Sequence, residues 1–171
     1  MVTANFQRLR KQVCESEISS AEFIAGLKLL LDFSDELLQA LGEELQRQHW
    51  SCVFRLLFAV QAFPNRKFTP VLNELLDNHK DRGYSENIAD ALFDIRDERS
   101  VPALTRALDY YEPGDDDRNF NKKVIYALVR IRTTEAIEGL RLATHNSDEQ
   151  IRIAAEAEFL KIARFAKSDK L

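Results

Sequence analysis

Glycine and proline are scarce in this chain, five and four among 171 residues. A β-rich fold of this length needs turn residues at every reversal, so the shortage disfavours a sandwich or barrel and favours helices. Cysteine is rarer still. Cys14 and Cys52 stand far apart in apolar helical contexts. They are too few for a disulfide framework and wrongly spaced for zinc, and both are expected as half-buried thiols. No apolar run reaches the ~18 residues of a membrane span. The opening residues, Met1 to Arg8, hold no apolar leader core, so the expected compartment is the cytoplasm and no membrane contact is expected.

Catalytic motifs are missing as well. The glycines form neither GxGxxG nor a phosphate loop, and no G-x-S-x-G elbow occurs, which removes the usual nucleotide and acyl-transfer chemistries. The histidines are His49, His79 and His145. His49 lies three residues from Cys52 with no further ligand nearby in sequence, so no metal is expected there. His79 and His145 each fall at the end of a helix, where an imidazole meets the negative pole of the dipole. The run Asp115-Asp116-Asp117 lacks the alternating ligands and downstream Glu of a calcium loop. The expectation is a non-enzyme without cofactor or metal.

What is present is a core and a solvated surface. Hydrophobic residues make up 45% and charged residues 30%, and the net charge is -4. That balance argues against overall disorder. It also argues against a duplex-binding protein, which draws affinity from phosphate neutralisation, and suits a basic protein partner.

Apolar residues recur at helical spacing almost throughout. Helices are expected from about Thr3 to Glu17, then after Ser19 or Ser20, after Ser34, and from about Trp50 to Phe63. The last is apolar on most sides and should lie between two layers. Further helices should start at Phe68-Thr69-Pro70, at Ser85, and at Val101-Pro102 (running to about Tyr110). The final three should cover Asn121 to Ile131, Thr134 to Ala143 and Asp148 to Ala166.

The chain also matches itself. Ala59-Val60 aligns with Ala91-Leu92 and Ala127-Leu128, at offsets of 32 and 36 residues. Leu72, Leu104 and Leu140 align, as do Phe63, Ile95 and Ile131, and Ile151 to Ile162 begins a further copy. Units of helix, turn and helix cannot bury both faces alone, so they stack. The aligned alanines should sit where helices cross closely.

Ile95 to Leu108 resembles the turn and second helix of HEAT-like repeats of the phycobilin-lyase type, and Ile151 to Ile162 resembles a first helix. The resemblance implies an all-α, right-handed α-solenoid of stacked antiparallel helix pairs. It covers 50–166 of a single 1–171 domain, and the helices of 1–49 diverge from it. It further implies that second helices line a binding surface. These carry Asn73, Glu74, Asp77, Arg106, Asp109, Tyr110 and Arg141 off the apolar stripe. The His-Glu pairs of iron-binding HEAT hydroxylases are absent.

The expected partner site is the segment Asp109, Tyr110, Tyr111, Glu112, Asp115, Asp116 and Asp117, which places five carboxylates in nine residues beside two aromatic anchors. Arg118, Lys122 and Lys123 beside it are expected as a solvated helix start. Arg96, Arg99, Arg106, Arg130, Arg132 and Arg141 would form a stripe if equivalent positions stack, the best sequence argument for nucleic acid. The expected function is protein binding. Small acidic helical proteins of this kind resemble immunity proteins of bacterial toxin systems, which bind and neutralise a toxin domain. An adaptor or assembly factor, a bilin-lyase-like subunit and a nucleic-acid-binding HEAT protein are the alternatives.

Overall fold

The computed structural model describes residues 4–30, 32–78, 84–110 and 118–168, with side chains of the last helix described to residue 162. Among these the regular structure is entirely helical. The helices are α1 (Ala4–Cys14), α2 (Ser20–Leu27), α3 (Ser34–Gln46), α4 (Trp50–Ala62), α5 (Thr69–Asp77), α6 (Ser85–Ile95), α7 (Val101–Ala107), α8 (Asn119–Ile131), α9 (Thr134–Ala143) and α10 (Glu149–Ser168). Short 3-10 turns, Arg66–Phe68 and Glu98–Ser100, lead into α5 and α7.

Local chemistry sets the starts. Ser19 caps α2 in a capping box. Its hydroxyl accepts from the Glu22 N–H at 3.2 Å, and the Glu22 carboxylate accepts from the Ser19 N–H at 2.8 Å. Glu22 is held below the ordinary glutamate range by those bonds, the backbone one foremost. Thr133 caps α9, and the Asp148 carboxylate accepts from the N–H groups of Gln150 and Ile151 at the start of α10. Ser34 and Ser85, expected as caps, are instead the first residues of α3 and α6, and neither helix has a side-chain cap. α7 is shorter than expected, because Leu108 to Tyr110 leave the helix as a turn.

The chain divides into two compact units within α5, at Val71/Leu72. In the first unit α4 is the hub. It packs on α1, α2 and α3 and buries Val53, Leu56, Leu57, Ala59 and Val60. That bears out its all-round apolar character. Two links escape a linear reading of the sequence. The buried Arg10 of α1 donates to Glu43 at 2.7 Å and to Glu44 at 2.5 Å, tying α1 to α3. Burial alone would raise Glu44, but its bonds from Arg10 and His49 outweigh that and hold it below its ordinary value. In addition, Cys14 and Cys52 form a disulfide between α1 and α4, with Cα atoms 4.6 Å apart. This corrects the expectation of two separate thiols. The sequence separation concealed that α1 and α4 pack side by side.

In the second unit α8 packs on α6 and α10, α9 packs on α7, and α8 packs on α9. First helices thus stack on first helices and second on second, the arrangement expected of repeats. The aligned Ala91, Ala127, Leu92, Leu128, Leu104 and Leu140 are all buried. α7 and α9 cross closely at Gly139. A Cβ placed there would meet the Thr105 hydroxyl oxygen at 2.6 Å.

Two measurements follow. Gly139→Ala gains helix propensity of about 1 kcal/mol but forces the α7–α9 crossing apart, so a net loss of about 1–2 kcal/mol in denaturant melts is expected. Adding Thr105→Ala should restore most of it; equal losses with and without Thr105 would show that the two helices do not meet there. For the disulfide, a loop of 38 residues corresponds to about 4 kcal/mol of chain entropy. Reductant should therefore lower the melting temperature of the wild type and leave a Cys14→Ser/Cys52→Ser variant unmoved. Two titratable thiols in the air-exposed wild type would refute the pairing.

Candidate functional site

Tyr111, Glu112, Asp115, Asp116 and Asp117 of the expected site lie outside the described residues, as does His79. Asp109 and Tyr110 are described, and they occupy the turn that ends α7. That turn is held by i→i+3 bonds, the Tyr110 N–H donating to the Ala107 carbonyl at 3.2 Å. The carbonyls at a helix end lack intrahelical donors. Here a buried side chain supplies them. The Asn121 amide, from α8, donates to the carbonyls of Ala107 at 3.3 Å, Leu108 at 3.2 Å and Tyr110 at 3.2 Å.

Around this turn the ends of the second helices are joined by polar contacts. The Arg106 guanidinium of α7 grips the Asp77 carboxylate of α5 as a fork, at 3.0 and 2.6 Å. Tyr110 donates its hydroxyl to the same carboxylate at 3.4 Å. Burial, and next the Asp77 charge, push the Tyr110 phenol above its ordinary range, and the Asp77 hydrogen bond does the same for Arg106. After α9, the Asn146 amide donates to the Asp109 carboxylate at 3.2 Å. Asp109 is exposed and Tyr110 half-buried. The structure therefore brings Asp77, Arg106, Asp109 and Tyr110, all marked in the sequence, into one row. It adds Asn121 and Asn146, which the sequence did not mark because their partners are backbone carbonyls or distant in the chain.

The six-arginine stripe is broken up. Arg99 turns back to Asp97, Arg106 takes Asp77, and Arg141 takes Glu138. Arg96, Arg130 and Arg132 remain together, around a cleft of about 410 Å³ between α6 and α8. The expected solvated basic cluster is also corrected. Lys123 pairs with Glu86 and Asp90 across to α6, and Arg118 pairs with Asp148. His145 does sit at a helix end, with Nδ1 3.2 Å from the Arg141 carbonyl.

The first unit holds a second polar cluster. The donor atoms of Cys14, Glu44 and Cys52 lie within 4.8 Å of one another. Only with both thiols free would they offer a metal three ligands. In the structure the sulfurs are joined, and Glu44 is taken by Arg10, Arg47 and His49.

A family model for the PBS lyase HEAT-like repeat matches residues 86–110. That stretch covers α6 from its second residue, the following turn, α7 and the turn up to Tyr110. Neither a curated protein nor a solved structure matches the chain. The similarity supports a HEAT-like repeat protein, a scaffold class for binding, and Arg106, Asp109 and Tyr110 of the row lie inside the matched residues.

Asn121 is the residue on which the geometry of this row turns. Asn121→Ala should cost about 1–3 kcal/mol, the penalty for stranding buried acceptors, and should speed amide exchange at Asp109 and Tyr110. Asn121→Asp should be worse at neutral pH, since a carboxylate would face three carbonyls, and should partly recover on acidification as the acid regains a donor. Unchanged exchange in both variants would show that the turn stands without Asn121.

Proposed function

We propose that the chain is a protein-binding helical-repeat module whose second-helix ends dock a basic partner, with the segment Asp109, Tyr110, Tyr111, Glu112, Asp115, Asp116 and Asp117 at the centre of contact. The supporting observation is the row itself. Asp109 is exposed, and the turn carrying it is held by Asn121 and Asn146. A binding loop gains from a rigid footing, because less entropy is lost on docking. The carboxylates that follow in the sequence repel one another in the free protein and are relieved when a basic surface approaches.

The finer reading is a right-handed solenoid of antiparallel pairs acting as an immunity- or inhibitor-like protein that neutralises a toxin domain. It rests on small size, net charge of -4 and the lack of a catalytic motif. An adaptor or assembly factor fits the same surface. The bilin-lyase-like reading draws on nothing beyond the repeat match.

Affinity capture from the source cell, identification of the bound protein and binding kinetics with that protein test this reading. Replacing Asp115, Asp116 and Asp117 by Asn should slow association, and salt should weaken wild-type binding. Tyr110→Ala with Tyr111→Ala should mainly speed dissociation, by roughly tenfold or more. Wild-type kinetics in both variants at low and high salt would place the interface elsewhere. Loss of the partner's own activity in the complex separates an inhibitor from an adaptor.

A further inference from the structure

Three arginines are gathered around the α6–α8 cleft. Elsewhere in the second unit Arg99, Arg106, Arg118 and Arg141 each hold a carboxylate. Arg96, Arg130 and Arg132 are exposed, and no carboxylate among the described residues pairs with any of them. The guanidinium of Arg130 lies over the Phe93 ring, 5.4 Å from its centroid, which orients it without neutralising it. Val129 and Tyr126 complete the lining, and the Tyr126 side is 45% exposed. The cleft thus offers unpaired cations beside an apolar and aromatic floor.

The backbone supplies an independent observation. Arg96 and Arg132 are the residues that end α6 and α8, and both adopt the left-handed conformation, at φ 54° and 61°. Glycine occupies that position at least cost, and a long side chain there is strained. The two positions are equivalent at the 36-residue offset of the repeat. Ser16, Gln48 and Arg118 share the conformation elsewhere, but Arg96 and Arg132 hold it at equivalent places with both residues on one cleft.

We propose that this cleft binds an acidic segment of a partner protein, its carboxylates on Arg96, Arg130 and Arg132 and a neighbouring apolar side chain on Phe93, Val129 and Tyr126. Charge decides the occupant. The guanidinium fork matches a carboxylate in plane and in donor spacing. A nucleic-acid strand would need cations continuing along the groove. Here the neighbouring turns of α6 carry exposed Asp94 and the carboxylates Asp90 and Glu86, the latter two already occupied by Lys123. A polyphosphate backbone would meet those acids, whereas a short peptide covers only the cleft. The proposal uses a different surface from the second-helix row, so either can fail alone.

The test uses the whole chain and a phage-displayed peptide library. Wild type should select peptides with Asp or Glu beside an aromatic or aliphatic residue. A selected peptide should bind less tightly as salt rises, and Arg96→Glu with Arg132→Glu should weaken it by at least roughly tenfold, the scale of one lost charge-assisted bond. Arg96→Gly with Arg132→Gly supplies a second arm. It should abolish binding while holding or raising the melting temperature, because glycine relieves both left-handed positions. A selected set without acidic residues, or one indifferent to these substitutions, would overturn the proposal. So would a melting temperature that falls sharply in the glycine variant, since the arginines would then be structural. Binding of a twenty-residue oligothymidylate that depends on the same arginines would replace the acidic peptide with nucleic acid.

Discussion

The second unit depends on the burial of α8. A helix pair has apolar surface on two sides and can cover only one by itself, so stability is shared with neighbours. Ala127, Leu128, Val124 and Ile125 are buried on α8, which packs against α6, α7, α9 and α10. A small residue makes the neighbouring contact possible. Glycine at 139 lets α7 and α9 approach where a larger side chain would separate them. With the spacing of the helices set in this way, the ends of the second helices arrive within hydrogen-bond reach of one another, and the ends of the first helices enclose a cleft.

Polar residues are then sorted by what they reach. At the second-helix ends the carboxylates are held within the fold, Asp77 in an ion pair with Arg106 and Asp109 by a hydrogen bond from Asn146 that leaves its charge. At the first-helix ends Arg96, Arg130 and Arg132 are not neutralised among the described residues. One unit therefore carries an organised acidic edge and an open basic cleft, a distribution suited to more than one contact.

The first unit is held by different means. Arg10 bridges Glu43 and Glu44, and the Cys14–Cys52 disulfide joins α1 to α4. A buried ion pair is weak evidence for stability, because desolvation offsets much of the attraction, so the disulfide and the burial of α4 carry the greater share. Disulfides persist in oxidising compartments, and this one pulls against the cytoplasmic expectation drawn from the opening residues.

Much of the fold was legible in the residues themselves. Periodicity located the helices, and the self-alignment of Ala59, Ala91 and Ala127 marked three positions that are buried. Both are consequences of local geometry, since a helix repeats its faces every 3.6 residues wherever it packs. The sequence offers Ser19 or Ser20 as the cap of α2, and the structure takes Ser19, whose spacing to Glu22 makes a capping box. The site was only half legible. Asp109 and Tyr110 stood out by charge and aromaticity, yet Asn121 holds their turn from α8 by donating to carbonyls that carry no sequence signal. Six arginines looked alike in the sequence, and only their neighbours in space divided them into three that are paired and three that are not. The sequence by itself determined the helices, their repeat and their buried faces, because these follow from short-range spacing. The tertiary structure alone decided the Cys14–Cys52 bond, the Arg10 pairing and the arginine cleft, because each depends on which distant residues packing brings together.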